Sequence, residues 1–285
     1  IFTARLYPLV LFILLKLSKI LNNIPSYREI AKSISNNSVV VNGLADVQKR
    51  HFAYGVAKDK NRPFVFIAQN EADIDNIIND IEFFSEKEID YLPEENARLQ
   101  VGTKSKDIYI KRAKIFEKLL LGEKPNLVVT SGIVLNLFSK LDTFKKNKIK
   151  IETGKIYSID TLSEILVKCG YERTDIVEGV GQFSVRGGIL DVYSPTAQNP
   201  YRVEFFDDEV DSIRIFDSIS QRTIEKVEVI DIFPVSNEET VEDTVPFLEY
   251  LPEDYMIFIE EPQRLMDKID TMIFEYQEVI DKVED

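Results

Sequence analysis

A chain of 285 residues, 44% hydrophobic and 29% charged, is long enough for two domains and has the composition of an ordinary soluble protein. Its formal net charge of −14 argues against a dedicated nucleic-acid binder, whose affinity comes largely from Lys and Arg on phosphates. One cysteine (Cys169) and one histidine (His51) rule out an internal disulfide and a Cys/His zinc site, and they suit a reducing, cytoplasmic compartment.

The chain opens with LYPLVLFILLKLSKI, an apolar run broken by Lys16 and Lys19. A spanning helix needs about 20 apolar residues, and a signal peptide needs a basic start and a small-residue cleavage site. Residues 1–22 are therefore expected to form a helix on the body, native or added, and the start at Ile1 points to a fragment or a processed chain. Ser26 and Glu29 read as a capping box opening a short helix. Residues 38–43 (SVVVNG) read as a buried strand, followed by a helix over 46–58. Residues 63–69 (PFVFIAQ) are the next strand, with Asn70 placed to cap the helix after it, and 126–130 (NLVVT) are a third. Strands alternating with helices imply a parallel sheet covered by helices.

Near Lys148 the pattern changes. A helix over 160–169 stops at Gly170, and five short strands follow, at 182–186, 189–193, 201–206, 212–216 and 226–232. Gly187-Gly188, Asn199-Pro200 and Asp207-Asp208 mark turns between them, which makes a small antiparallel α+β domain. After Phe233-Pro234 and a polar stretch, residues 255–259 (YMIFI) form a strand and a long helix starts at Pro262. Leu265, Ile269, Met272 and Ile273 would line one face of that helix. This second strand-helix unit implies a return to the first sheet, so the hairpin domain is an insertion.

Residues 170–195 (GYERTDIVEGVGQFSVRGGILDVYSP), 200–217 (PYRVEFFDDEVDSIRIFD) and 220–222 (SQR) closely resemble the bacterial transcription-repair coupling factors (Mfd), and more loosely the repair protein UvrB. Weaker similarity reaches back to NGLADVQK near Gly43 and forward over LEYLPEDYMIFIEEP. The resemblance implies a helicase-like parallel sheet domain of degenerate P-loop type, interrupted by a small antiparallel α+β domain that binds UvrA, as in the first two domains of UvrB. Its boundaries would fall at 23–147 and 233–285 for the sheet domain and 148–232 for the insertion. In the intact family protein an RNA-polymerase-interacting domain and an ATP-dependent DNA translocase motor follow, both expected outside these 285 residues. There a C-terminal domain masks the UvrA surface until the motor engages stalled RNA polymerase.

A P-loop needs G-x-x-x-x-G-K-[ST], whose backbone N–H groups cradle phosphates while the Lys reaches the terminal ones. Here the comparable turn runs Gly43-Leu44-Ala45-Asp46-Val47-Gln48-Lys49, without the second glycine or the Lys-Ser/Thr pair. Asp46 puts negative charge where phosphate would sit, and Lys49 reads as a solvated helix lysine. UvrB-like helicases end a buried strand with Asp-Glu-x-His; this chain has Glu260-Glu261-Pro262-Gln263. Two separated motifs have both lost their chemistry, so the expectation is no catalysis, no metal and no cofactor. Gly179-Val180-Gly181 is expected to be a hairpin turn, since strands and not a phosphate-facing helix follow it. UvrB's tyrosine-rich DNA-inserting hairpin corresponds to residues 90–111, where only Tyr91 and Tyr109 are aromatic.

Alternation along 201–206 places Tyr201, Val203 and Phe205 on a core face and Arg202, Glu204 and Phe206 on the other. Phe183 and Val185 point inward and Arg186 outward. Exposed Arg and aromatic side chains are the usual anchors of protein interfaces. By the resemblance, the UvrA-contacting residues of the coupling factors match Arg186, Arg202 and Phe206. Those of UvrB match Arg173 and Arg186, with a third arginine falling at Ser184. The competing view is that Arg202 pairs with Glu204 or Asp208 and Phe206 caps a satellite core. The function expected is a non-catalytic module that recruits UvrA in transcription-coupled nucleotide excision repair, away from any membrane. A divergent UvrB-like ATPase and a DNA-binding module are the alternatives.

Overall fold

The structure, a computed structural model, describes residues 20–34, 38–85, 87–94, 106–235 and 244–284. The elements run α1 (Pro25–Ser33), α2 (Asp46–Lys60), β1 (Phe64–Ala68), α3 (Ile74–Ser85), β2 (Asp90–Leu92), α4 (Lys106–Leu120), β3 (Leu127–Thr130) and α5 (Ser131–Leu135). They continue with β4 (Leu137–Ser139), α6 (Leu141–Lys146), β5 (Ile149–Glu152), α7 (Ile159–Lys168), β6 (Glu172–Arg173), β7 (Gln182–Arg186) and β8 (Ile189–Val192). The last are β9 (Tyr201–Phe206), β10 (Glu209–Phe216), β11 (Thr223–Val227), β12 (Val229–Ile232), β13 (Thr244–Pro246), β14 (Met256–Ile259) and α8 (Pro262–Glu284). They form two units, one of the described residues up to Leu92, Lys124–Leu135 and those from Pro252 on, the other of Pro93–Glu123 and Asn136–Leu251.

The first unit is the parallel sheet, in the order β14-β1-β3-β2. Continuous apolar runs suit strands covered on both faces, and all five residues of β1 are buried. Each such Val, Ile or Phe contributes about 1.5–3 kcal/mol. The returning strand β14 pairs with β1 in parallel, Phe64 opposite Met256. Arg62 fixes its approach by donating to the carbonyls of Asp254 (2.6 Å), Tyr255 (3.1 Å) and Glu253 (3.2 Å). The sheet domain is thus completed by a segment from beyond the insertion.

Several local expectations fail here for identifiable reasons. Residues 38–43 form no strand: no described strand pairs with them and Val40 is 75% exposed. The helix α1 starts at Pro25 with Ile24 as its cap, so Ser26 and Glu29 already lie inside it and make no capping box. Pro at the first helical position needs no N–H and takes that place well. Asn70 does occupy a cap position but gives no side-chain bond. On α8, Leu265 is buried and Ile269 half-buried, while Ile273, expected on the same apolar stripe, is 61% exposed. Residues 1–19 and the polar link over 236–243 lie outside the described residues.

The second unit is built on the sheet β11-β10-β9-β8-β7-β6, with β5–β12 and β4–β13 as two further antiparallel pairs. Helix α7, capped by Ser158, whose Oγ accepts from Thr161 N–H, packs Leu162 and Leu166 against Phe183, Leu190, Val192, Val203 and Ile213. Tyr201, Val185 and Phe205 border that core, as alternation predicted. The single strand expected over 226–232 is two strands in two sheets: β11 ends at Val227, and the Glu228 carbonyl accepts from Thr153 as β12 turns to pair with β5. Gly179-Val180-Gly181 is a turn but not a hairpin, because the strands flanking that loop, β6 and β7, run parallel.

Candidate functional site

The Gly187-Gly188 turn sets the geometry of the outward sheet face. Gly187 takes φ +58°, and a Cβ on Gly188 would lie 2.9 Å from the Phe205 carbonyl oxygen, so only glycine lets β9 come this close. The register that follows aligns Ser184 with Asp191, Asp191 with Arg202, and Arg202 with Arg214 across four strands. The next row carries Arg186, Ile189, Glu204 and Ser212.

Arg202 and Arg214 are opposed like charges, a destabilising pairing by itself. Two carboxylates relieve it. Asp191 takes Arg202 in a two-pronged bond, Nε to Oδ1 at 2.7 Å and Nη2 to Oδ2 at 2.8 Å. Glu204 Oε2 accepts from Arg214 Nη2 (2.7 Å) and from Ser212 Oγ (2.8 Å). Asp191 Oδ2 also accepts from Arg186 Nη2 at 2.7 Å, so one carboxylate with a 1% exposed side chain holds two arginines. Arg202 Nη2 further donates to Gln221 Oε1 (3.0 Å), and its guanidinium lies 4.3 Å from the Phe216 ring centre. The Asp191 bonds, against a smaller effect of burial, raise the Arg202 pKa above its ordinary value.

Arg202 is therefore not the open surface fork expected from the sequence: its side chain is 19% exposed, and its partner is Asp191, neither Glu204 nor Asp208. Arg186 keeps 47% of its side chain exposed. Phe206, last in β9 before the Asp207-Asp208 turn, is 76% exposed and caps no core. Arg186, Arg202 and Phe206 share the outward face. Arg173 does not join them; it is exposed on the edge strand, paired with Phe183 and so in the row of core-facing residues. Ser184 is buried and donates to the Asp175 carbonyl at 2.9 Å. Asp191 is the residue sequence reasoning missed, although a two-residue turn at Gly187-Gly188 already implied its row.

In the sheet unit the segments 43–49 and 260–263, read above as altered nucleotide motifs, meet. Lys49, on α2, lies 2.9 Å from Glu261 Oε1, 3.7 Å from Glu260 Oε1 and 3.5 Å from Asp46 Oδ1. It is thus an ion-paired residue with a side chain 27% exposed, not the solvated lysine expected. The Glu261 hydrogen bond raises the Lys49 pKa and lowers that of Glu261. Burial pushes Glu260 upward, with Lys49 opposing it. Glu261 adopts φ +51°, a left-handed conformation a non-glycine residue rarely takes. Gly43 is also left-handed, at φ +86°, with open space where its side chain would be. His51 stacks on Phe84 at 4.2 Å, and Cys169 is buried, which raises its thiol pKa. Among the described residues no group of three or more His, Cys, Asp or Glu is placed to hold a metal ion, and no helix is long and apolar enough to cross a membrane.

Residues 149–237 match the UvrB interaction domain family. The chain is 31% identical over 231 residues to the transcription-repair-coupling factor of Bacillus subtilis (strain 168), covering 80% of this chain and 18% of that protein. It is 26% identical over 235 residues to that of Staphylococcus haemolyticus, covering 82% and 20%. That of Staphylococcus epidermidis is 26% identical over 225 residues, covering 78% and 19%. The chain thus spans about a fifth of the length of these relatives. A parallel-sheet α/β domain interrupted by a UvrB interaction domain defines a UvrB-like repair module. Within that class the chain belongs to the transcription-repair coupling factor family, matching its N-terminal UvrB-homology region.

Proposed function

We propose that this chain is a recruitment module that binds UvrA through the outward face of its six-stranded sheet and performs no nucleotide chemistry. The observation that carries the reading is Phe206, three-quarters exposed on the same sheet face as the Arg186–Asp191–Arg202 cluster, inside the segment that matches the UvrB interaction domain. A large exposed aromatic next to ordered guanidiniums is the composition of an interface anchor. Arg186, Arg202, Arg214 and Lys226 share this face with Asp191, Glu204, Glu209 and Glu172, so its charges are nearly balanced in a chain of net charge −14, and the ordered pairing rather than a net charge would orient a partner.

The sheet unit serves as a scaffold in this reading. Lys49 is taken up by Glu261 and Glu260, and the surplus of carboxylates there repels phosphate. The role is placed in transcription-coupled nucleotide excision repair. Contacts with RNA polymerase and DNA, and any masking of the UvrA face by a C-terminal domain, are assigned to parts of the family protein outside this chain. Calorimetric titration of purified UvrA into the chain tests the reading. Saturable binding that Phe206→Ala weakens supports it, and no heat at micromolar concentrations of both proteins would end it.

A further inference from the structure

Resting on the UvrA reading, we infer that Asp191 is the positioning residue of the partner face: it touches no partner itself but fixes Arg186 and Arg202 in the arrangement that meets one. Asp191 sits at the centre of the face, aligned with Ser184 on one side and Arg202 on the other. Its side chain is 1% exposed, so a partner reaches it only through the arginines that cover it. All three of its charge-assisted bonds, at 2.7–2.8 Å, go to those two arginines.

Arginine carries about 2 kcal/mol of rotamer entropy when free, and binding must remove it. A guanidinium already clamped has lost that freedom on folding, so less remains to be lost on association. The two-pronged bond also sets the plane of Arg202, and Gln221 and Phe216 hold the same plane from the other sides. Arg186 gives Asp191 one Nη2 bond while nearly half its side chain stays in solvent. It is thus oriented at one end and presented at the other. A carboxylate buried on the outward side of a sheet has no packing role that Val or Ile would not fill better. Ordering its two cations is the function that its burial serves.

The test compares Asp191→Asn with Phe206→Ala in the full chain. UvrA affinity, melting temperature and the 15N–1H signals of the arginine Nε–H groups are measured on each. The amide of Asn keeps size and one acceptor oxygen but loses the charge and the second prong. The expected result is a loss of roughly tenfold or more in affinity for Asp191→Asn, of the order seen for interface anchors. Near-native folding should accompany it, with the slowly exchanging Arg202 Nε–H signal of the parent chain becoming broad. If Phe206→Ala weakens UvrA binding while Asp191→Asn leaves it unchanged, the inference is overturned and the UvrA reading stands. If neither variant changes the affinity, the UvrA reading falls and the inference with it. If Asp191→Asn does not fold, Asp191→Leu with Arg202→Leu removes charge and counter-charge together. In that background Arg186→Ala should have lost its effect on binding; an undiminished effect overturns the inference. A freely rotating Arg202 guanidinium in the unsubstituted chain overturns it outright.

Discussion

Replacing Phe206 by alanine separates an interface role from a structural one, because the side chain is 76% exposed. An aromatic residue offers about 200 Å² for burial. Some three-quarters of that, about 150 Å², remains for a partner, and at ~25 cal/mol per Å² it is worth up to about 4 kcal/mol. Truncated anchors typically cost about 2 kcal/mol or more, or about thirtyfold in affinity. Folding draws only on the remaining quarter, about 50 Å², so the stability cost should stay near 1 kcal/mol. Phe183, fully buried in the same unit, is the control: its replacement by alanine should cost about 3–5 kcal/mol of stability. Titration with UvrA and denaturant unfolding on the same samples read both quantities. Phe206→Ala that binds UvrA like the parent, or unfolds as readily as Phe183→Ala, refutes the assignment of Phe206 to the partner face.

Arg202→Ala should behave differently: it leaves the buried Asp191 carboxylate with Arg186 alone, at a cost of about 3 kcal/mol in chemical denaturation. A melt unchanged by Arg202→Ala would show that the Asp191 clamp contributes nothing to folding. Arg173→Ala, on the other row of the edge strand, should lower UvrA affinity much less than Arg186→Ala, as surface plasmon resonance can measure. Mg-ATP titrated calorimetrically should show no saturable binding tighter than roughly 100 μM, a range where association exceeds about 5 kcal/mol. The Lys49–Glu261 coupling should depend on pH at both ends. Glu261, with its folded pKa lowered, contributes above the ordinary carboxylate range and loses that contribution as pH falls through its folded pKa. Lys49, with its folded pKa raised, contributes below the ordinary lysine range and loses it as pH rises through its folded pKa. A Lys49→Ala, Glu261→Ala double-mutant cycle should therefore show coupling at neutral pH that fades in acid and in strong alkali, and a flat profile would refute it.

The apolar runs at 64–68 and 127–130 announced their strands because a parallel sheet covered on both faces demands them, and that at 256–259 announced an edge strand whose Ile257 and Ile259 stay exposed. The alternating 201–206 segment announced both its strand and its two faces. Residues 38–43 carry the same apolar signal and form no strand, since a run of Val fixes hydrophobicity but not a neighbour to pair with. Phe206 was legible from alternation alone. The state of Arg202 was not, because its partner lies on another strand and the bond depends on register. Asp191, between Leu190 and Val192, reads as a surface acid until the arginines of β7 and β9 are seen to cover it. Lys49 and Glu261 are 212 positions apart, and only the return of β14 to the first sheet brings them together.

Both charged clusters use one device, pairing a cation with a carboxylate of the same unit, with different consequences. Around Lys49 three carboxylates meet one ammonium, so the local excess is negative and the half-exposed Glu261 takes up the ammonium. On the six-stranded sheet Arg186, Arg202, Arg214 and Lys226 meet Asp191, Glu204, Glu209 and Glu172, so no carboxylate surplus builds up there. Phe206, on the same face, is 76% exposed. If the UvrA reading holds and the partner surface is acidic, Glu204→Gln, which removes a carboxylate of this face, should speed association, most visibly at low salt. Stopped-flow association rates for UvrA across a salt series measure it; a rate indifferent to both charge and salt would show that the face does not attract its partner by charge.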